Sequence, residues 1–132
     1  MTEFPFTMTN LILKATNSAP MVEFNCETCV FTIEGRSILE DPSGFYMSIY
    51  EWLEIFLPTA TKEVIFNIKL EYVNSSSSKY LTGLFRLIDQ TFTTGKQIVV
   101  NWFYDEYDES IMDLGMHYRD HFTFPINLIQ EI

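Results

Sequence analysis

Residues 72–79 read Tyr-Val-Asn-Ser-Ser-Ser-Ser-Lys, and they stand where a β pattern ends and a helical pattern begins. Within the predicted strand from Val64 to Val73, apolar and polar residues alternate between Phe66 and Tyr72, which is the period-2 signature of a strand with one buried face. After them, from about Ser76, the apolar residues recur at helical spacing: Leu81, Leu84, Phe85, Ile88 and Phe92. The serine run is therefore predicted to occupy a strand-to-helix turn.

Two interpretations of the serine run remain open from the residues alone. The backbone N–H groups of a helix N-terminus are unpaired and its dipole favours negative charge, so Asn74 or one serine would serve as an N-cap. Four consecutive hydroxyls exceed that need, and they follow a strand end, where α/β proteins place their sites. A phosphate added there would be well accommodated. Regulation and simple capping are thus both consistent with the pattern.

Composition indicates one globular domain that binds proteins. The 132 residues are 47% hydrophobic, enough for a core, and we expect a single regulatory domain over residues 1–132. The net charge is −10, with eight basic residues against eighteen acidic ones, which excludes a basic groove for nucleic acid. The same acidity argues against binding to an anionic membrane surface. Proteins are therefore the expected partners.

The sequence predicts a cytoplasmic protein without membrane insertion. No stretch approaches the roughly 20 apolar residues needed to span a bilayer. The start, Met1 to Pro5, lacks the basic residues and long apolar run of a signal peptide. Two cysteines are too few for a disulfide scaffold.

The remaining patterns predict three strands followed by three helix–strand units. The predicted strands are Leu11–Thr16, Met21–Asn25, Thr28–Glu34, Val64–Val73, Ile98–Tyr104 and a last strand through Phe122, Phe124, Ile126 and Leu128, with Pro125 marking an edge. Residues 35–44 read as loop, and an apolar stripe predicts a helix from Phe45 to Phe56, stopped by Pro58. A third helix carries Ile111, Leu114 and Tyr118.

This order predicts an α/β fold with a mixed sheet. Successive strand–helix–strand units imply parallel pairing with right-handed crossovers. Parallel strands covered on both faces are continuously apolar, whereas these strands alternate. We therefore expect the helices to pack mainly on one face of the sheet.

A Cys-x-x-Cys motif offers two alternative functions, as a thiol-redox module or a zinc module. Cys26 and Cys29 lie between two strand patterns, so the helix N-terminus that normally lowers the pKa of a redox thiol is missing. A zinc site would add His117 and His121, whose spacing places both on one helix face. Coincidental hairpin cysteines fit the context better, because the two pairs are separated by most of the chain.

An acidic run at Asp105 to Glu109 has carboxylates enough for a cation but lacks the glycine and ligand spacing of a calcium loop. It reads as a solvated helix start, or alternatively as a docking surface for a basic partner. No serine-hydrolase elbow and no glycine-rich phosphate loop is present in the sequence. We therefore expect neither an active site nor a cofactor.

Residues 71–79 resemble the Tyr-x-Asn-(Thr/Ser)-Ser-Ser-x-Lys motif of the SiaC family of bacterial biofilm-regulation phosphoproteins. Further matches follow in the same order along nearly the whole chain: Gly35-Arg36-Ser37 with Glu40 and Asp41, Phe45-Tyr46 with Trp52-Leu53, Trp102-Phe103-Tyr104, and Asp105 to Asp108 followed by Gly115. One segment departs from the pattern. The family usually has Gly-Arg-Ser-Tyr-Pro-Glu where this chain has Gly-Arg-Ser-Ile-Leu-Glu at residues 35–40, so we expect the contacts of that loop to differ.

The resemblance implies a fold similar to the STAS domain of anti-anti-sigma factors and a partner-switching role without catalysis. A serine/threonine kinase would phosphorylate the turn, a PP2C-like phosphatase would reverse this, and one state would engage a target, in some members a diguanylate cyclase that controls c-di-GMP and biofilm formation. By motif position the acceptor is Ser75, with Ser76 as the neighbouring alternative. The rest of the phosphorylated turn and partner-binding surface would be Asn74, Ser77, Ser78 and Lys79. The third alternative, an interaction domain without modification, remains open beside the two cysteine-based ones.

Overall fold

A computed structural model describes residues 8–132 as a six-stranded sheet with three α-helices. The strands are β1 (Leu11–Leu13), β2 (Met21–Asn25), β3 (Val30–Ser37), β4 (Val64–Val73), β5 (Ile98–Asp105) and β6 (Ile126–Glu131). The helices are α1 (Ser43–Phe56), α2 (Ser75–Thr93) and α3 (Glu109–His121), and a short 3₁₀ turn, Leu57–Thr59, follows α1. The predicted order of three strands and three helix–strand units is confirmed.

The six strands lie side by side in chain order, from β1 at one edge to β6 at the other. The first three strands pair antiparallel through hairpin connections. From β3 onward every pair is parallel, because each connection carries a helix back to the start of the next strand. The sheet is therefore mixed, as expected.

The helices cover one face of this sheet. Along β4, Phe66 and Ile68 are fully buried and belong to the same core as the inward side chains of all three helices. Asn67 and Lys69, which point to the other face, are only half-buried. The one-sided packing predicted from the alternating strands is confirmed, and within residues 8–132 no helix covers the other, more polar face.

The uncovered face carries a ladder of asparagine side chains across three parallel strands. Asn127 donates its side-chain amide to Asn101 Oδ1, and Asn101 donates its own to Asn67 Oδ1, each at 3.0 Å. The three residues occupy paired register positions in β6, β5 and β4. The polar residues of this face are thus ordered parts of the sheet.

Residues 35–37 were predicted as loop, and that prediction is wrong. They form the end of β3, where the register with β4 shifts between Gly35 and Arg36. The extra residue at this shift is Glu71 of β4, and Gly35 opposite it has a φ of +127°, a conformation that glycine adopts more readily than other residues. The strand therefore continues to Ser37, beside the end of β4.

The two outermost strands are also shorter than predicted. β1 ends at Leu13 instead of Thr16, and β6 begins at Ile126, so Phe122 and Phe124 lie outside it. Their apolar alternation has another cause, because their rings stack on each other at 5.7 Å between centroids and both pack near Phe85. β6 does lie at the sheet edge.

None of the helices within residues 8–132 combines the length and the apolar character that crossing a bilayer requires. The N-terminal stretch from Met1 to Pro5, in which the sequence shows no signal-peptide pattern, lies outside the described residues.

Candidate functional site

The strand-to-helix junction lies where it was predicted: β4 ends at Val73, and the four serines form the first turn of α2. Asn74 adopts an extended conformation between the two elements and caps the helix, because its Oδ1 accepts a hydrogen bond from the Ser77 backbone N–H at 2.9 Å. The capping role therefore belongs to Asn74. The serine hydroxyls are not needed for it.

The four serines differ sharply in exposure. Ser75 is exposed, and none of the hydrogen bonds that hold the turn within residues 8–132 uses its hydroxyl. Ser76 is half-buried and its hydroxyl donates to the Leu39 carbonyl at 2.9 Å. Ser77 is fully buried, and its Oγ has no hydrogen-bond partner within residues 8–132. Ser78 is half-buried. Of the four, Ser75 is the most accessible to an enzyme.

The placement of Ser77 corrects one expectation. The family motif implied that Ser77 belongs to the partner-binding surface, but its side chain lies inside the core and is not accessible in this structure. The reason is helical geometry: Ser77, Leu81, Leu84, Phe85 and Ile88 fall on the same inward face of α2. Lys79 lies on the outward face and is exposed.

Residues 37–39, which connect β3 to α1, hold the turn through main-chain carbonyls. The Ser37 carbonyl accepts from the Asn74 backbone N–H at 2.9 Å. The Leu39 carbonyl accepts from Asn74 Nδ2 at 3.0 Å in addition to the Ser76 hydroxyl. Sequence reasoning missed this contact, because a carbonyl acceptor leaves no residue-type signal.

Three tyrosines lie near the start of α2, of which Tyr46 and Tyr118 are buried and Tyr50 is half-buried. Tyr46 hydrogen-bonds the buried Ser37 hydroxyl at 2.7 Å, Tyr50 donates to the Tyr80 carbonyl, and Tyr118 lies 3.0 Å from the Thr82 hydroxyl. Burial raises the pKa of Tyr46 and of Tyr118, and burial together with neighbouring tyrosines raises the pKa of Tyr50 to about 12. All three therefore stay neutral near pH 7 and act as fixed hydrogen-bonding supports.

The cysteine motif lacks the surroundings that activate a redox thiol. Cys26 and Cys29 are both free thiols in the turn between β2 and β3, away from any helix N-terminus. Burial raises the pKa of Cys29, opposite to the shift that activates a thiol.

The zinc interpretation also lacks its geometry. The His117 and His121 rings stack at 5.6 Å on α3, but they are not joined by the cysteines. Across residues 8–132, no three side chains of the His, Cys, Asp or Glu type are grouped so that they could hold a metal ion.

The acidic run acts as the start of α3. Asp108 caps the helix by accepting from the Ile111 backbone N–H at 3.0 Å, and Glu109 lies in its first turn, where the dipole favours a carboxylate. Asp105 accepts from the Tyr107 N–H at 2.9 Å, which closes the turn before the helix. The predicted helix-start role is confirmed, and the docking role for a basic partner stays a prediction.

Replacing Asn74 with alanine should lower the free energy of unfolding by about 1–2 kcal/mol, because both the cap and the side-chain bond to Leu39 are lost. Urea unfolding measured by circular dichroism tests this. Ser75→Ala is the matched control, since Ser75 is exposed, and it should change the midpoint little. Equal effects of the two changes would contradict the assignment of the cap to Asn74.

Comparison with known proteins gives one family and a consistent fold. The family model for SiaC family regulatory phosphoproteins matches residues 13–131. A protein of Pseudomonas aeruginosa strain UCBPP-PA14, itself uncharacterised, is 24% identical over 118 residues, which is 89% of this chain and 94% of that protein.

Two crystal structures from Pseudomonas aeruginosa share the fold at a TM-score of 0.86 and 22% identity, covering 92% of this chain and 99% of theirs. One is apo-SiaC. The other is the diguanylate cyclase SiaD in complex with its activator SiaC.

Proposed function

This chain belongs to the SiaC family of regulatory phosphoproteins, and on that basis we propose that it is a partner-switching protein controlled by reversible phosphorylation of Ser75. The observation that carries the proposal is the exposure of Ser75 in the first turn of α2, while Ser76 is engaged with Leu39 and Ser77 is buried. Ser76 is the second choice of acceptor. The protein acts by binding, without catalysis of its own, as one domain over residues 1–132 in the cytoplasm.

Local electrostatics favour a phosphate at this position. A phosphoryl group adds about −1.5 to −2 charges at pH 7 and sits at the positive end of the α2 dipole. Lys79, one helical turn after Ser75, is exposed and can pair with it. The hydrogen bonds of Asn74 and Ser76 to the loop do not involve Ser75, so the fold tolerates the modification.

The change acts on a partner rather than on the fold. If a partner surface fits the unphosphorylated turn, binding to the phosphorylated protein would bury the phosphate charge without a compensating positive charge. Such burial costs several kcal/mol of binding free energy. We propose a serine/threonine kinase and a PP2C-like phosphatase as the modifying enzymes. The target is a diguanylate cyclase, which the Pseudomonas aeruginosa complex supports because SiaC there is the activator of the cyclase SiaD and shares this fold.

The test is a reconstitution with the diguanylate cyclase and the kinase from the same organism. We expect the purified protein to bind the cyclase and change its rate of c-di-GMP synthesis in one phosphorylation state and not in the other. The Ser75→Ala variant should behave like the unmodified protein whether or not the kinase is present. A cyclase that binds both states equally, or binds neither, would refute the switch.

A further inference from the structure

The outward side of α2 carries a shallow groove that extends well beyond the phosphorylation site. Its volume is about 510 Å³, and it is lined by Ser75, Ser78, Lys79, Thr82 and Arg86. Positions 75, 78 or 79, 82 and 86 are each three or four residues apart, so these residues form one stripe along the helix. We call this stripe the α2 groove.

The charge of the α2 groove is opposite to that of the whole chain. The protein has eight basic and eighteen acidic residues, yet two basic residues and no acidic one line the groove. Lys79 and Arg86 are both exposed. The ion pairs found within residues 8–132 involve other residues, Lys69 with Glu131 and Arg119 with Asp120, so both groove cations are available to a ligand.

The spacing of the two cations indicates what kind of anion fits. Lys79 and Arg86 are separated by two helical turns, which is about 10 Å along the axis. Three residues of a peptide extended in the polyproline II conformation cover about the same distance at roughly 3.1 Å per residue, and side chains three residues apart then lie on the same side of the peptide. Between the cations, the Ser78 and Thr82 hydroxyls can donate to or accept from a peptide backbone.

We infer that the α2 groove binds an extended acidic segment of the partner protein, whose carboxylates, three residues apart, pair with Lys79 and Arg86. This inference rests on the proposed function for its link to signalling. A phosphoryl group on Ser75 lies one turn before Lys79 and adds about −1.5 to −2 charges. The phosphate pairs with Lys79 and repels the carboxylates of the acidic segment. Phosphorylation of Ser75 therefore weakens binding of the partner in the same groove.

A two-dimensional ¹H–¹⁵N NMR titration of the intact protein tests the inference. The probe is the peptide Glu-Gly-Ser-Glu-Gly-Ser-Glu, added at low ionic strength, where exposed charges are least screened. We expect amide shifts confined to the stretch from Asn74 to Arg86. Lys79→Glu and Arg86→Glu should each weaken binding about tenfold, or about 1.4 kcal/mol.

The matched control is Lys14→Glu, which makes the same change of charge at another exposed lysine and should leave binding within a factor of about two, since distant exposed charges are screened. The same peptide with glutamine in place of glutamate should produce no shifts. Equal weakening by all three charge reversals would show general electrostatic attraction and overturn the inference. Shifts outside residues 74–93, or stronger shifts with inorganic phosphate than with the peptide, would also overturn it.

Phosphoserine installed at position 75 during translation separates this inference from the proposed function, because it requires no kinase. We expect the modified protein to lose the peptide-induced shifts. If the peptide still binds the protein that carries phosphoserine at position 75, the phosphate does not compete with the acidic segment and the inference is refuted. Failure of the cognate kinase to phosphorylate Ser75, with the peptide still bound in the groove, would instead refute the proposed function and leave the groove intact.

Discussion

Replacing Ser75 with alanine is expected to abolish the mass gain of one phosphoryl group that the protein acquires from its cognate kinase and ATP. The reason is access: Ser75 is exposed and its hydroxyl is not used in holding the turn. Ser76 is tied to the Leu39 carbonyl at 2.9 Å, and Ser77 is fully buried. Intact-mass spectrometry of the incubated variant, followed by peptide mapping, measures the effect.

Ser77→Ala is the control for that experiment. Its buried hydroxyl is beyond the reach of a kinase and lacks a partner, so the variant should gain a phosphoryl group like the natural sequence and should not lose stability. A full mass gain in Ser75→Ala would contradict the assignment. If that gain mapped to residue 76, the hydrogen bond to Leu39 would have to open before phosphorylation.

Replacing Gly115 with alanine should destabilise the fold by about 3 kcal/mol, at the upper end of the usual cost of overpacking. Gly115 is the point where α3 lies directly on β5 and β6. A Cβ added there would overlap the Trp102 ring and lie 2.9 Å from a methyl carbon of Leu128. Trp102 cannot move aside easily, because it is fully buried and donates to the Ile111 carbonyl at 2.8 Å. The helix propensity gained from alanine, about 1 kcal/mol, is smaller than this steric cost.

Gly44→Ala is the matched control, because Gly44 lies in the first turn of α1 and a Cβ there meets no atom of the described chain within 4 Å. We expect this variant to be as stable as the natural sequence or slightly more stable. Urea unfolding followed by tryptophan fluorescence compares the two. A Gly115→Ala variant as stable as Gly44→Ala would show that α3 can shift away from the sheet.

The elements with the clearest periodicity were predictable to the residue. Strands Met21–Asn25 and Val64–Val73 have the predicted bounds, because alternation along each reports directly which side chains face the core. The predicted strand bounds were wrong where a residue type or an apolar alternation had a cause other than the one assumed. Gly35 suggested a loop but lies inside β3, where its register with β4 shifts, and Phe122 and Phe124 alternate because their rings stack after α3.

The position of the candidate site was predictable, but its internal arrangement was not. The change from a strand pattern to a helix pattern at the serine run predicts the position of the strand-to-helix turn. Asn74, directly before the serines, predicts the N-cap. Ser75 is exposed and Ser77 is buried because of which side of α2 faces the sheet, and a run of identical residues does not show which side that is. The α2 groove joins Lys79 to Arg86, seven positions apart, and it became visible only with the surface of the helix.

The bonds from residues 37–39 to the turn have an evolutionary consequence, because they depend on the path of the backbone and not on which side chains it carries. Every amino acid, proline included, supplies a carbonyl. Isoleucine and leucine at positions 38 and 39, where the family usually has tyrosine and proline, therefore leave both acceptors in place. Substitutions at positions 38 and 39 leave these carbonyls in place, whereas a residue inserted or deleted there would displace the Leu39 carbonyl from the turn.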